Sequence, residues 1–257
     1  MPKLVSVVGG KHSGKTTVIA NLIRELKLRG YRVGSVKEMS NAEWVDYPGK
    51  DTWEHGKAGA EIVVATPINE TVFFVKKKLS LNSLMNFLKG LDYVVLEGFE
   101  HEENIAKIVA AKDVDEAERF LEGGQVIAIS GLIVESEKEL EKASKLKIPI
   151  FNCKTEAAKI ADLVEQKVFH YLPNISHCGE CGYSSCSEFA KAIVEGTEQS
   201  RSCPLTKTDD VILEVDGNRV PLKLFPRLII KNIVMGMASS LKGVDKIHEI
   251  KIVVKKD

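Results

Sequence analysis

Short runs of β-branched and aliphatic residues recur along the first two thirds of the chain, separated by segments whose apolar residues fall every three or four positions. That alternation is the pattern of βαβ units, in which parallel strands form a sheet covered by helices on both faces. It predicts strands at LVSVV, YRVGSV, EIVVAT, TVFFV, YVVLE, AKIVAA, QVIAIS and IPIF. Helices are expected from Thr16 to Leu28, from Glu137 to Leu146 and from Glu156 to Phe169. The first carries Val18, Ile19, Leu22, Ile23 and Leu26 on one face. TVFFV follows EIVVAT closely and precedes a lysine run, so it also reads as the second strand of a hairpin.

The pattern changes after Phe169. Leu172-Pro173-Asn174 interrupts it, and a segment rich in Cys, Gly and Ser begins at His177. Further on, VILEV and RVPLKL flank Asp216-Gly217-Asn218, a turn signal that joins two strands into a hairpin. A helix from about Pro226 to Leu241 and a strand near IHEIKIVV complete a small α+β tail. That helix carries Leu228, Ile229, Ile230, Ile233, Val234, Met235 and Met237, enough apolar surface to be buried against its own hairpin, with a partner groove as the other reading. Three units are therefore expected, 1–172, 173–208 and 209–257.

Composition adds limits. With 257 residues there is length for a medium domain and a smaller one. Lys plus Arg balance Asp plus Glu at 36 each, so the net charge gives no reason to expect a nucleic-acid or membrane partner, and any anion site must be local. No stretch approaches the roughly 18 apolar residues of a spanning helix, and the N-terminal apolar run is too short for a signal peptide. The chain reads as cytoplasmic.

Candidate chemistry begins at the first predicted strand. Gly9-Gly10-Lys11-His12-Ser13-Gly14-Lys15-Thr16 matches G-x-x-x-x-G-K-[ST] between an apolar strand and a helix, the context a P-loop requires. Small residues let backbone N–H groups curl around phosphates, and the following helix N-terminus adds partial positive charge. Lys15 is expected to reach the β- and γ-phosphates, Thr16 to ligate Mg²⁺ and Thr17 to contact the α-phosphate. The strand YVVLE delivers Glu97 to its carboxyl end as the expected Mg²⁺ carboxylate, followed by Gly98 for a close turn. Lys15 and Glu97 are the candidate catalytic residues. The fold class is then α/β, a P-loop NTPase with a mainly parallel sheet flanked by helices, plus a small C-terminal Cys-rich and α+β region.

Asp46-Tyr47-Pro48-Gly49 reads as a turn, and Lys50 to Gly59 as a short helix whose start suits an anionic ligand, or which Asp51 caps. Residues 2 to about 154 resemble the MobB family, the molybdopterin-guanine dinucleotide biosynthesis protein B family. The resemblance rests on GGKHSGKTT, on Val36-Lys37, on Asp46-Tyr47-Pro48-Gly49-Lys50-Asp51-Thr52 leading to Ala58-Gly59-Ala60, and on Leu96-Glu97-Gly98-Phe99. It implies a homodimeric GTP-binding accessory protein with weak GTPase activity that cooperates with the pterin-cofactor guanylyltransferase of molybdenum or tungsten enzymes. Lys37, Lys50, Asp51, Thr52 and His55 are then candidates for a second face of the cleft. Glu38 stands where the family commonly has His. QVIAIS ends in Ser130-Gly131-Leu132 with no N-K-x-D, so guanine preference comes from the family alone.

Four of the five cysteines, Cys178, Cys181, Cys186 and Cys203, lie in one short segment. Four thiolates suit tetrahedral Zn²⁺ or an iron-sulfur cluster, and only one C-x2-C pair is present where zinc ribbons use two. CGECGYSSCSEFAKAIVEG with CPLT resembles the small 4Fe-4S domain of corrinoid and electron-transfer proteins, which favours 4Fe-4S over zinc. Cys153 reads as a small core thiol, and His177 as loop surface. Two further functional readings are a P-loop ATPase or GTPase that assembles or delivers a metal centre through the cysteines, and a small-molecule kinase.

Overall fold

The computed structural model describes residues 1–39, 44–122, 125–175, 178–198, 203–204, 210–220, 222–243 and 247–254, with backbone alone at 218–219. In chain order the first elements are β1 (Lys3–Val8), α1 (Lys15–Leu28), β2 (Val33–Lys37), α2 (Asp51–Lys57), β3 (Ile62–Ala65), β4 (Val72–Val75), α3 (Leu81–Leu84) and β5 (Tyr93–Glu97). There follow β6 (Ala106–Ala111), α4 (Val114–Leu121), β7 (Val126–Gly131), α5 (Glu137–Ala143), α6 (Ala157–Lys167) and α7 (Cys186–Glu195). The last elements are β8 (Leu213–Val215), β9 (Asn218–Val220) and α8 (Leu224–Ser239).

Five strands form one parallel sheet in the order β2-β5-β1-β6-β7. Because side chains alternate along a strand, β1 feeds both faces. Val5 and Val7 join α1, α6 and α7 in one core with Leu22, Leu26, Val164, Phe189 and Ile193. On the opposite face Val8 packs with Val109, Ile129 and Ile133 in the layer of α4 and α5, while Leu4 packs with Leu96, Met85 and Tyr171. Helix α1 buries Val18, Ile19, Leu22 and Leu26, the stripe its spacing predicts. The four strands β5, β1, β6 and β7 are thus covered on both faces, as a parallel sheet requires, while the edge strand β2 stays partly exposed.

Apart from the tail hairpin, four expected strands lie outside the main sheet, two of them in the hairpin also read for TVFFV. EIVVAT and TVFFV leave the main sheet and pair with each other as an antiparallel hairpin, β3 with β4. IPIF reduces to a single bridge, Ile129 to Ile150, beside β7. Pro149 can accept there, from the Ile129 amide at 2.9 Å, but has no N–H to extend a ladder. Residues 247–254 lie in no strand, and Val253 and Val254 are exposed, since β-propensity without a neighbouring edge makes no sheet.

The tail helix also differs from expectation. Leu228, Ile229, Ile233 and Met237 of α8 are exposed, and Arg227 is its buried residue. Strands β8 and β9 span three residues each, too little surface to cover a sixteen-residue helix. His177 lies outside the described residues. No helix among the described residues is long and apolar enough to cross a membrane.

Candidate functional site: a phosphate cleft and a thiol pocket at opposite ends of one sheet

β1 ends at Val8 and the chain turns sharply into α1. Gly9 has φ +149°, and a Cβ there would sit 2.0 Å from the Ala110 carbonyl oxygen, so only glycine fits. Gly14 caps α1 from the left-handed region at φ +95°, and His12 adopts φ +59° within the loop. These angles wrap residues 9–14 around open space and leave the first amides of α1 facing it, a site suited to phosphate. The Lys15 ammonium meanwhile donates to the carbonyls of Gly9, at 2.8 Å, and of Gly10.

The resulting cleft is about 470 Å³ and is lined by residues 11–16, Glu97 and Leu132. Gly9, Gly10 and Thr17 form its flanking backbone. Glu97 reaches it from the carboxyl end of β5, where open α/β sheets collect ligands. The following turn is anchored from three sides. Ser6 Oγ donates to the Gly98 carbonyl, the Gly98 amide to Val7 O at 3.1 Å, and the Phe99 amide to Glu38 Oε2 at 3.1 Å. Glu97 itself pairs with Lys37 Nζ at 3.0 Å.

Two further residues, one lining the cleft and one buried behind its loop, are not among the sequence-predicted site residues. Leu132, at the end of β7, donates its amide to Ser13 O at 3.1 Å and presents an apolar side chain at the rim. Glu116, 2% exposed, stands directly behind Gly10, where a Cβ would meet its Oε1 at 1.9 Å. Asp113-x-x-Glu116 is a visible capping box, and the Glu116 amide does donate to Asp113 Oδ1 at 2.8 Å. The Glu116 carboxylate accepts from the Lys112 amide at 2.7 Å. Its approach to the loop is tertiary and has no local signal.

The proposed second face is distributed differently. Lys37 meets Glu97, whereas Lys50, Asp51, Thr52 and His55 do not line the cleft. Lys50 is the N-cap of α2 and makes no side-chain cap bond, so Asp51 opens the helix without capping it. The Thr52 hydroxyl donates to Asp46 Oδ1 at 3.0 Å, and Lys76 Nζ to Asp46 Oδ2 at 3.2 Å. Burial opposes the charge on Asp46, but Thr52, Lys76 and the Tyr47 amide outweigh it and hold its pKa below the ordinary carboxylate value.

The residues fit a bound triphosphate and its cation. Glycines supply a cradle that a Cβ would fill, the buried Ser13 Oγ has no partner among the described residues, and the Thr16 hydroxyl and Glu97 carboxylate share one cleft as hard oxygen donors for Mg²⁺.

The thiol pocket lies at the other end of the same strands. Leaving α6, the chain runs antiparallel to the start of β1, with Lys3 bridged to His170 and the Tyr171 amide donating to Pro2 O at 3.2 Å. It then enters a pocket lined by Pro173, Ile175, Phe189 and all four of Cys178, Cys181, Cys186 and Cys203. All are free thiols. Gly179 and Gly182 take φ +70° and +83°, closing a turn in which the Gly182 amide donates to Gly179 O at 2.9 Å. Cys186 opens α7, whose N-terminus is fixed by Ser185 accepting from the Glu188 amide at 3.1 Å. Burial pushes the Cys186 thiol up, and backbone hydrogen bonds from Ile175 and Asn174 pull it back. Burial, then the charges of Glu102 and Cys186, push the Tyr171 phenol up to about 12. Cys153 is buried in the main core.

Among the described residues no three His, Cys, Asp or Glu side chains gather around a single-ion position. The four thiols line one apolar pocket with Pro173, Ile175 and Phe189. Thiolates around an apolar pocket suit an iron-sulfur cluster.

Residues 4–131 match the family model described as "Molybdopterin guanine dinucleotide synthesis protein B", and residues 172–205 match one described as "Putative Fe-S cluster". A relative from Methanocaldococcus jannaschii, "Putative molybdopterin-guanine dinucleotide biosynthesis adapter protein", is 30% identical over 256 residues, covering 97% of this chain and 96% of its own. The "Molybdopterin-guanine dinucleotide biosynthesis adapter protein" of Escherichia coli is 35% identical over 119 residues, 44% of this chain and 67% of that protein. The crystal structure of Bacillus subtilis MobB superposes with a TM-score of 0.51 over 63% of this chain and 96% of that one, a likeness of fold at 23% identity. With the motif-bearing domain matched and a relative aligned along nearly its whole length, the chain belongs to the MobB family, molybdopterin guanine dinucleotide synthesis protein B.

Proposed function

We propose that this protein is a cytoplasmic, homodimeric, GTP- and Mg²⁺-binding adapter in molybdopterin guanine dinucleotide biosynthesis, with weak GTPase activity and a 4Fe-4S cluster on its four cysteines. The observation that carries the reading is the cleft uniting residues 11–16 with Glu97, in a chain aligned over 97% of its length with a relative named "Putative molybdopterin-guanine dinucleotide biosynthesis adapter protein". The nucleotidyl transfer itself belongs to a guanylyltransferase partner.

Within the cleft, Lys15 moves from the Gly9 and Gly10 carbonyls onto phosphate oxygens, exchanging neutral acceptors for anionic ones. The amides at the start of α1 orient the phosphates. Thr16 and Glu97 would hold Mg²⁺, which supplies charge neutralisation at the β- and γ-oxygens when bound. Guanine preference is carried over from the family, because the end of β7 presents Leu132 and no base-reading carboxylate. At the other end, Cys178, Cys181, Cys186 and Cys203 would hold the cluster, which supplies one-electron chemistry when bound.

Calorimetric titration of the protein with GTP and with ATP, in the presence of Mg²⁺, tests the reading. GTP is expected to bind, and Lys15→Ala to weaken it about 100-fold through loss of charge-assisted hydrogen bonds. Absence of binding by either nucleotide, or unchanged affinity in the variant, overturns the nucleotide assignment. An ATP preference removes GTP from it.

A further inference from the structure

We infer that Lys37 is a placeholder for the divalent cation: its ammonium pairs with Glu97 and must vacate that carboxylate for the cation to bind. The inference rests on the nucleotide-binding reading above and adds a residue to its metal site.

The sheet builds the pair. Lys37 and Glu97 are register partners at the ends of the adjacent parallel strands β2 and β5, and the Glu38 amide donates to Glu97 O at 2.9 Å, locking the two strand ends together. Glu97 is held, with its side chain 14% exposed, while that of Lys37 is 55% exposed on a flexible stem. One partner is therefore fixed in the cleft and the other is free to leave. Glu38, next to Lys37, is already committed: its carboxylate accepts from the Phe99 amide at 3.1 Å and lies 3.7 Å from Lys78 Nζ. Lys37 is the one cation paired with Glu97 among the described residues.

Lys15 behaves in parallel. It too is turned onto acceptors of its own chain, the Gly9 and Gly10 carbonyls. Both ammonium groups thus rest on the protein's own oxygens, neutral carbonyls for Lys15 and a carboxylate for Lys37, where phosphate and cation are to bind. A half-exposed ion pair is weak and a divalent ion on the same carboxylate is the stronger competitor, so displacement is cheap. It is still a competition, and its cost appears in the cation concentration needed.

The test follows GTP affinity of the purified full-length protein as a function of Mg²⁺ concentration, from EDTA upward, and reads the half-saturating Mg²⁺. Lys37→Met is expected to lower that concentration about two- to fivefold, the scale of an exposed ion pair. Lys37→Arg, which keeps a cation on Glu97, should stay close to the parent protein, and Glu97→Gln should flatten the Mg²⁺ response. An unchanged or raised half-saturating concentration in Lys37→Met overturns the placeholder role, as does an arginine variant that behaves like the methionine one. GTP affinity in EDTA on the same samples separates the two levels. Absence of any GTP binding by the parent protein sinks the nucleotide reading, whereas intact binding with an unmoved Mg²⁺ response sinks only the role of Lys37.

Discussion

At the carboxyl end of β1 a site is made largely of backbone, from residues contiguous in sequence, and every turn is constrained by neighbours. At its amino end a site is made of four side chains gathered from residues 178–203, on turns that face open space. The contrast follows from what each would bind. A polyphosphate is recognised by amides whose direction must be fixed in advance, so the loop is packed against Ala110, Glu116 and Gly131. Thiolates make strong directional bonds of their own, and the chain needs only to bring them to one pocket. Yet the thiol end is tied into the protein: α7 shares its apolar core with α1 and α6, and Lys167 Nζ donates to Val194 O at 2.9 Å.

The strongest way to break that comparison is Phe189→Ala. Phe189 is 2% exposed in the main core, so truncation is expected to destabilise the whole protein by about 3–5 kcal/mol, with one shared unfolding transition in calorimetry. Two transitions, with only the thiol end lost, would contradict a common core. Next in size is Gly9→Ala. The added methyl meets a backbone oxygen that cannot swing away, and a loss of about 2–3 kcal/mol is expected in denaturant unfolding. Gly182→Ala sharpens the contrast from the other side, since nothing lies within 4 Å of its Cβ position and only the φ of +83° opposes the change. About 1 kcal/mol is expected there, and a loss equal to that of Gly9→Ala would erase the distinction between the two ends.

What could be read beforehand divides along the same line. The P-loop is a single contiguous motif between strand and helix, and the Glu97 strand has an unambiguous apolar run. Both signals are local, and the structure brings their side chains into one cleft. Lys37 was visible as a strand-end residue, but its pairing with Glu97 depends on β2 lying next to β5, which no local pattern specifies. Leu132 entered the reading only as a position without a carboxylate. The family matches reach the same two segments, residues 4–131 and 172–205. The strand assignments at IPIF and 247–254 went astray for different reasons: IPIF reaches the edge of β7 but Pro149 has no N–H to extend a ladder, whereas 247–254 pairs with no strand among the described residues. An apolar β-branched run announces that a residue suits a pleated surface, and says nothing about whether an edge with free donors is there to receive it. The tail helix shows the same limit, because an apolar stripe does not reveal what covers it.

The buried carboxylate behind Gly10 carries a consequence for how this protein can change over time. Because the end of the Glu116 side chain fills the volume a methyl would need, a larger residue at position 10 has to push that carboxylate from its place beside the Lys112 amide, although 106 positions separate the two. Change in the glycine-rich loop is therefore felt at the first turn of α4, in a part of the chain that shares no local sequence with it.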